Sequence, residues 1–338
     1  MYELLRQLLF LLPPETSHHA ALKTLKVVQA LGLHGKPEAM PGRSVQVMGL
    51  DFPNPIGLAA GLDKNGDYID ALASCGFGFL EIGTVTPRAQ PGNPPPRLFR
   101  LTDAKAIINR MGFNNQGVDY LLEQLGKARY RGILGINIGK NFSTPVENAV
   151  DDYLLALRRV YAHASYITIN ISSPNTPGLR SLQYGEDLAK LLRALKQAQT
   201  ALTDQHGRYV PLAVKVAPDL NGDEIKSMAQ VFMDCEIDGL IATNTTLDKV
   251  VVEHMPHGRE QGGLSGKPLT IRSNEVIAAF YRALGEAIPI IGVGGIMSAA
   301  DVTTKLTAGA KLVQLYTGFI YRGSPFIKEC IRVTQKPH

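Results

Sequence analysis

Beyond about residue 43, the chain alternates short, nearly continuous apolar runs with longer amphipathic stretches. Continuous apolar runs are typical of parallel strands covered on both faces. The intervening stretches, such as 147–164 and 186–206, are long enough to be crossover helices. We predict eight strands at 54–61, 77–85, 132–140, 166–174, 210–218, 239–246, 289–296 and 312–319. Eight such β-then-α units predict a (β/α)8 TIM barrel over residues 44–338.

Residues 1–43 form a separate unit. In MYELLRQLLFLL the apolar positions 1, 4, 5, 8, 11 and 12 share one helical face, and positions 9 and 10 widen it. Pro13-Pro14 ends that helix, and a second amphipathic stretch covers 15–33. The apolar face either packs on the barrel or lies in a membrane interface, with Arg6, Lys23 and Lys26 near anionic headgroups. The fold expected is therefore an α/β barrel with an N-terminal two-helix membrane-associating extension.

Two further segments stand out between these elements. Residues 45–54 alternate weakly around a Gly-Leu-Asp turn, which predicts a hairpin below the barrel. Residues 86–117, after strand two, contain PGNPPP and are predicted as one long, functional loop.

Each predicted strand ends in polar or glycine-rich residues, and barrels of this class build their sites at the carboxyl ends of the strands. GVGGI at 292–296 and Tyr316-Thr317-Gly318 follow strands seven and eight, the pair that often binds phosphate through backbone N–H groups. The alternative is that these glycines only make tight turns.

Two lysines are candidates for chemistry. Lys215 lies inside the apolar run AVKVAP, and a buried ammonium needs a partner or a task. It is a Schiff-base nucleophile, a fixed cation beside a developing anion such as a reduced flavin, or half of a structural ion pair. Lys64 ends strand one and either binds a substrate carboxylate or is a solvated loop residue.

Six asparagines lie at or near strand ends or in the long loop. Amides both donate and accept hydrogen bonds, so a ring of them suits a small planar ligand such as a pyrimidine. The six are Asn109, Asn114, Asn137, Asn170, Asn175 and Asn244.

The segment NISSPNTPGLR adds hydroxyl groups to one strand end. Pro174 holds Ser173 in an extended conformation, and its neighbour Ser172 should point the other way. There is no GxSxG motif and no histidine beside a strand end in the sequence, which argues against a Ser-His-Asp hydrolase.

The composition narrows the remaining classes of function. The net charge is +5 without a Lys/Arg-rich run, so nucleic-acid binding is not expected. Three cysteines, Cys75, Cys235 and Cys330, are sparse and have no metal-binding spacing, as expected in a reducing compartment without a metal site. No apolar run reaches the roughly 18 residues of a transmembrane helix.

The strand-end motifs as a set closely resemble those of the class 2 (quinone-dependent) dihydroorotate dehydrogenases, from about residue 2 to residue 330. They include GLAAGLDKNG, EIGTVTPRAQPGNPPPRLFR, INRMGFNNQG, GINIGKN, NISSPNTPGLR, AVKVAPDL, ATNTTLD, GGLSGKPL, IIGVGGI and LVQLYTGF. The class 1 enzymes use a cysteine base on a different loop, and none of the three cysteines here has that context.

The resemblance implies a flavin mononucleotide (FMN) enzyme of pyrimidine biosynthesis. Such an enzyme oxidises dihydroorotate to orotate and passes two electrons to a membrane quinone. It also implies a peripheral membrane protein on the cytoplasmic face of the bacterial inner membrane, attached through the N-terminal helices. No obligate protein partner is inferred.

The same resemblance implies individual residues. Ser173 is the base that takes a proton from C5 of the substrate while C6 gives a hydride to the flavin, Lys215 is the second catalytic residue, and Thr176 is a candidate for passing the proton outward. The FMN contacts implied are Ala60, Gly61, Leu62, Asp63, Lys64, Thr84, Asn137, Asn170, Lys215, Thr243, Gly266, Gly295, Tyr316 and Thr317. The substrate contacts implied are Lys64, Asn109, Arg110, Met111, Gly112, Phe113, Asn170, Asn175, Asn244 and Thr245. The quinone-site residues implied are His18, Arg100 and Tyr316.

Two other functions are compatible with parts of this pattern. One is a cofactor-free aldolase that uses Lys215 as a Schiff base. The other is a non-catalytic, membrane-associated barrel whose N-terminal helices are a docking module.

Overall fold

The computed structural model describes residues 2–33 and 40–335. The strands are β1 Val45–Val47, β2 Leu50–Phe52, β3 Ile56–Leu58, β4 Phe79–Val85, β5 Leu98–Leu101, β6 Ala106–Asn109, β7 Ile133–Ile138, β8 Tyr166–Asn170, β9 Leu212–Val216, β10 Gly239–Ala242, β11 Gly263–Gly266, β12 Ile290–Val293 and β13 Ala310–Leu315. The helices are α1 Tyr2–Phe10, α2 Pro14–Ala30, α3 Ile69–Ala73, α4 Gly117–Lys127, α5 Ala149–Val160, α6 Gly185–His206, α7 Gly222–Asp234, α8 Thr270–Leu284, α9 Ala299–Thr307, α10 Thr317–Arg322 and α11 Ser324–Thr334.

Eight parallel strands close a barrel in chain order: β3, β4, β7, β8, β9, β10, β12 and β13. These are the eight strands that the apolar runs predict. Most are shorter than predicted because the polar residues at their carboxyl ends leave the ladder and form loops. The run predicted at 166–174, for example, is a strand only to Asn170, which is paired with Lys215 of β9.

A hairpin closes the amino-terminal end of the barrel, as the sequence predicts. β1 and β2 are antiparallel, with Val45 opposite Phe52. Val47 and Phe52 are buried against Phe79 and Tyr166 from the barrel strands. The hairpin therefore fills the end of the barrel opposite to the strand ends that carry polar residues.

The segment predicted as a single long loop after strand two contains two strands. β5 and β6 form an antiparallel hairpin, and β6 pairs with the distant β11, so that Asn109 lies opposite Gly263. Alternate residues of this small sheet, including Phe99, Ile108 and Leu264, form their own apolar cluster. The prediction of a loop was wrong because each strand has four residues, too few for the alternation to be read, and one partner lies about 150 residues away.

The N-terminal helices pack on the barrel by one face and are exposed on another. The Tyr2 hydroxyl donates to the Ile320 carbonyl (2.6 Å), and the Phe10 ring packs edge-on against Tyr321 (5.4 Å between centroids). On the outer face Leu4, Leu8 and Leu11 are 67%, 65% and 82% exposed. One face of α1 therefore packs on the barrel, as one of the two interpretations predicts, and the other face exposes leucines.

The break between the two helices lies where the prolines predict it, since α1 ends at Phe10 and α2 begins at Pro14. Residues 34–39, just before the predicted unit boundary at residue 43, lie outside the described residues. Within the described ranges, no helix combines the length and the apolar character needed to cross a bilayer.

Candidate active site

A cavity opens at the carboxyl ends of the barrel strands, beside the β5–β6–β11 sheet. Its empty volume is about 990 Å³, including the open space at its mouth. Eleven of the fourteen predicted FMN residues and nine of the ten predicted substrate residues line it. The exceptions are Leu62, Asp63, Asn137 and Arg110.

Four of the six predicted asparagines line the cavity and form two pairs. Asn175 donates through its side-chain amide to the Asn109 side-chain oxygen (3.3 Å). Asn244 donates to the side-chain oxygen of Asn170 (3.4 Å), and also to the Ser172 hydroxyl (3.1 Å). These amides belong to strand-end loops and to the small sheet, so the fold brings together residues far apart in sequence. Asn114 and Asn137 do not line the cavity.

Asn137 supports the wall of the cavity from behind. Its side-chain oxygen accepts from the Thr84 hydroxyl (2.5 Å) and from the Asn170 amide (3.2 Å), and both of those residues line the cavity. Its own amide donates to the Glu81 carboxylate (2.8 Å). Asn137 therefore does not line the cavity and supports its wall through Thr84 and Asn170.

Glu81 is a fully buried carboxylate inside the barrel. In addition to Asn137 it accepts from the Tyr166 hydroxyl (2.9 Å) and from the Gln314 amide (2.7 Å). Three donors make burial of this charge tolerable. Sequence reasoning missed Glu81 and Gln314, although both carry the signal that drew attention to Lys215, a polar residue inside an apolar strand.

Lys215 lies in the cavity wall, 5% exposed. Its ammonium group makes no hydrogen bond or ion pair within the described residues, which disfavours the structural ion pair considered from sequence. Burial lowers the pKa of Lys215, and the negative charge of Glu81 opposes that effect. The barrel thus holds one cation against the cavity without a direct hydrogen-bonded partner.

Lys64 is also in the cavity wall, where its ammonium donates to the Gly61 carbonyl (2.9 Å). Burial and the nearby Arg97 lower the pKa of Lys64 to about 8, and Glu15 and Asp63 oppose the shift. Its orientation is set by the turn that follows β3, in which the Asp63 carboxylate accepts from three backbone N–H groups, of Gly66, Asp67 and Tyr68. Asp63 therefore shapes the loop that carries Lys64 and does not line the cavity itself.

The serine pair behaves as the sequence predicts. Ser173 lines the cavity and is 6% exposed, and its hydroxyl oxygen accepts from the Asn175 backbone N–H (3.2 Å). Ser172 is buried away from the cavity, with its hydroxyl bonded to Asn170 and Asn244. The Thr176 hydroxyl in the same loop is buried and has no hydrogen-bond partner among the described residues.

The glycine loops after β12 and β13 form the opposite end of the cavity. Gly294 and Gly295 have φ of +110° and +73°, and a Cβ atom at Gly295 would lie 2.3 Å from Thr270 Cα. A side chain at Gly295 would therefore clash with Thr270, and the two glycines line the cavity with backbone atoms alone. Tyr316, Thr317 and Gly318 complete this end.

The three predicted quinone-site residues have different surroundings. Tyr316 lines the cavity and its hydroxyl donates to Gly61 (3.4 Å). Burial, with Lys64 and His19 nearby, lowers the pKa of His18 to about 3 and keeps it neutral. Arg100 donates to the carbonyls of Phe10 and Leu12 and lies over the Phe10 ring (4.3 Å), so it holds the end of α1.

Two predicted residues point away from the cavity. The Arg110 guanidinium pairs with Glu260 (2.8 Å) and lies over the Phe99 ring, because alternation along this chain segment sends its side chain to the face opposite Asn109. Leu62 is buried in the main hydrophobic core. The cavity residues that sequence reasoning did not identify are Ala59, Ser265, Leu269 and Gln314.

Known proteins share the sequence and the fold of this chain over most of its length. Residues 43–336 match the family model described as "Dihydroorotate dehydrogenase". A protein of Nitrosospira multiformis named "Dihydroorotate dehydrogenase (quinone)" is 58% identical, over 98% of this chain and 95% of the relative. One of the same name from Nitrosomonas europaea is 59% identical, over 98% and 96%. A crystal structure of DHODH from Eimeria tenella in complex with ferulenol superposes with a TM-score of 0.85 at 36% identity, over 94% of this chain and 90% of that one.

Proposed function

This chain belongs to the quinone-dependent dihydroorotate dehydrogenases, and we propose that FMN and the pyrimidine substrate share its cavity. As a member of that family, it oxidises dihydroorotate to orotate in pyrimidine biosynthesis, with a quinone as the electron acceptor. The family is flavin-dependent. Membership in it decides against the aldolase and the non-catalytic docking barrel. The observation that carries the proposal is the convergence of Ser173, four amides and two lysines in one cavity.

The residues present fit FMN. The glycine loop at 294–295 and Thr317 offer backbone N–H groups for the phosphate, with no side chain in the way. Thr243 Oγ1 and Gln314 Oε1 are buried in the cavity wall without a partner in the described part of the chain, and both suit the polar edge of an isoalloxazine ring. When bound, FMN supplies the two-electron acceptor. Lys215 holds a positive charge where negative charge develops during the reaction.

The amides and Lys64 are proposed to bind the pyrimidine. Asn109, Asn170, Asn175 and Asn244 present donors and acceptors that match ring carbonyl and N–H groups. The ammonium of Lys64 suits the carboxylate of dihydroorotate, and the substrate charge would in turn favour the protonated amine. The pairing holds the amides in position, and binding would exchange hydrogen bonds within the pairs for hydrogen bonds to the ligand.

Ser173 is proposed to accept the proton from the substrate at its Oγ atom. A hydroxyl can take up this proton only as its own proton leaves, so the site must stabilise the negative charge that the serine oxygen carries during the transfer. The Asn175 N–H donates to that oxygen, Lys64 and Lys215 line the same cavity, and the serine is almost completely buried. Low local dielectric strengthens each of these interactions. Thr176, with its unpaired buried hydroxyl, is the proposed next proton carrier.

Quinone-dependent members of this family are membrane-associated, and we propose peripheral attachment at the cytoplasmic face through α1 and α2. The exposed leucines of α1 would lie in the interface, which delivers a lipid-soluble quinone to the region between these helices and the barrel. His18, Arg100 and Tyr316 are the polar groups proposed near the quinone head. Because His18 is neutral, it places no charge beside a quinone that approaches from lipid.

The decisive test replaces Ser173 with alanine. Purified wild-type protein should have a flavin spectrum that bleaches when dihydroorotate is added anaerobically. Ser173→Ala should retain the spectrum and bind orotate, because binding depends on the amides and Lys64, but it should not bleach on the wild-type timescale. Bleaching of this variant at the wild-type rate would contradict the role of Ser173. A colourless, fully active wild-type preparation would contradict the flavin proposal.

A further inference from the structure

The loop that carries Ser173 connects β8 to α6 and covers residues 171–184. It contains a single turn of 3-10 helix, Leu179–Gln183, after Gly178 at φ +69°. Outside that turn the segment has few backbone hydrogen bonds, so its conformation depends on side chains. Ser173 must nevertheless keep a fixed direction, because proton transfer requires reacting atoms at about 3–3.5 Å.

Arg180, in the 3-10 turn, contacts three strand-end segments at once. Its Nε donates to the Ser172 carbonyl (3.2 Å), its Nη1 to the Asp219 carboxylate (2.7 Å), and its Nη2 to the Thr245 carbonyl (2.9 Å). The first acceptor is in the peptide bond that precedes Ser173. The others follow β9 and β10. One planar guanidinium therefore joins the ends of three consecutive barrel strands.

Asp219 extends this connection on the other side. Its carboxylate also accepts from the Thr246 hydroxyl and from the Leu247 N–H (3.1 Å). Thr245, which lines the cavity, lies in the segment that Arg180 and Asp219 hold together. Gln183 adds a buried contact, since its side-chain oxygen accepts from the Ala217 N–H (2.9 Å).

We propose that Arg180 and Asp219 form a clasp that positions Ser173 and the Asn244–Thr245 segment for proton removal, a proposal that rests on the role of Ser173 proposed above. Arg180 does not line the cavity, so it is a positioning residue and makes no contact with substrate. A lysine cannot replace it, because an ammonium group lacks the planar fork that serves three acceptors in fixed directions. The side chains of the pair are 19% and 26% exposed, which protects it from most solvent screening.

The alternative is that the pair only stabilises the fold. The chain contains a matched control at the other end of the same two strands. Lys196 pairs with Asp238 (3.5 Å) at 18% and 17% exposure, and the Asp238 carboxylate accepts from the N–H of Leu212, the first residue of β9. Removing that pair affects stability at the amino-terminal end of β9 and β10, away from the cavity.

The test compares Arg180→Met, Arg180→Lys and Asp219→Asn with Lys196→Met in the full-length holoenzyme. Anaerobic stopped-flow measures flavin bleaching at saturating dihydroorotate, and hydrogen exchange follows the amides of 171–184. We expect Arg180→Met to bleach about 100-fold more slowly, the cost of a displacement of about 1 Å at the reacting atoms. Exchange in 171–184 should accelerate. The bleaching and exchange rates of Arg180→Lys and Asp219→Asn should lie between those of Arg180→Met and wild type. If Arg180→Met does not fold, these two variants are used for the test instead.

Lys196→Met should lower the melting temperature without changing either readout. The clasp would be overturned if the Arg180 and Asp219 variants kept the wild-type bleaching rate and exchange. It would also be overturned if Lys196→Met slowed bleaching as much as they do. Ser173→Ala is measured in parallel to separate the two proposals. A wild-type rate in Ser173→Ala would overturn the role of that serine, and exchange would then decide the clasp alone. A slow Ser173→Ala beside normal Arg180 variants would overturn only the clasp.

Discussion

Replacing Lys215 with methionine removes the positive charge in the cavity wall while keeping a side chain of similar length. The fold should survive, because the Lys215 ammonium has no hydrogen bond within the described residues and Glu81 keeps its three donors. Methionine also fills the buried position with apolar atoms. The change therefore isolates the electrostatic role of Lys215 in the reaction.

The size of the effect follows from the burial of Lys215. A unit charge about 4 Å from an opposite charge, at an effective dielectric constant of about 20, interacts by about 4 kcal/mol. Converted to rate, that is close to 10³-fold. Glu81 lies in the same barrel interior and its negative charge opposes part of the lysine potential. We therefore expect flavin bleaching by dihydroorotate to slow by about 10²-fold, at the lower end of what removal of one preorganised group costs.

The assay is anaerobic stopped-flow, with the flavin midpoint potential measured on the same preparations. The potential should become more negative in Lys215→Met. Lys140→Met is the matched control, because Lys140 is another buried lysine, bonded to the carbonyls of Asn141 and Thr144 outside the cavity. It should lose stability and keep the wild-type rate and potential. A Lys215→Met protein with wild-type rate and potential would refute the electrostatic reasoning.

Three other predictions address different parts of the molecule. The triple variant Leu4→Gln, Leu8→Gln, Leu11→Gln should bind liposomes about 10³-fold more weakly, because burial of the three leucines contributes about 4.5 kcal/mol in total. Unchanged affinity would exclude α1 from the interface. Its control replaces three exposed apolar residues elsewhere, Val250, Val251 and Ile271. Ser173→Cys should keep partial turnover that increases with pH as the thiolate forms, and a flat pH profile would count against a base at this position. Burial lowers the pKa of Lys305 from 10.5 to about 7. Between those pH values the folded state therefore binds fewer protons than the unfolded state, so stability should rise with pH from about 7 to about 10.5. Lys305→Met should flatten that rise in chemical denaturation at several pH values, and an unchanged slope would rule out Lys305 as its source.

The barrel could be predicted from sequence because parallel strands buried on both faces form uninterrupted apolar runs. The small antiparallel sheet could not, since Leu98–Leu101 is too short to display a period and its register depends on pairing with Gly263–Gly266 through Ala106–Asn109. The polar residues at the strand ends indicated the carboxyl-terminal end of the barrel, where the cavity lies. They did not distinguish Asn109, which lines the cavity, from Arg110, which pairs with Glu260, because that depends on which face of the sheet each side chain occupies.

Glu81 and Gln314 were missed for another reason. In the sequence each is one polar residue in an apolar strand, and nothing near either one along the chain reveals its partner. In the barrel they meet directly, with the Gln314 amide 2.7 Å from the Glu81 carboxylate. Polar networks inside a barrel connect strands that are distant in sequence, so their members become recognisable only when the strand order and register are known.

Buried polar atoms that lack a partner indicate where a ligand would complete the hydrogen bonding of this fold. Native proteins satisfy nearly all such atoms. Among the described residues, four of the six unpaired side-chain atoms belong to barrel strands, to their carboxyl ends or to the loop that carries Ser173, namely Thr168, Thr176, Thr243 and Gln314. The amino-terminal end, closed by the β1–β2 hairpin, has none of them. Two of these residues, Thr243 and Gln314, line the cavity together with Lys215, whose ammonium has no hydrogen-bonded partner among the described residues, and there a flavin and a pyrimidine would supply the missing contacts. The amides and hydroxyls of the strand end NISSPN bond to Asn109 and Asn244 from neighbouring segments, and Ser173 and Asn175 line the cavity, where we propose that they meet the ligands.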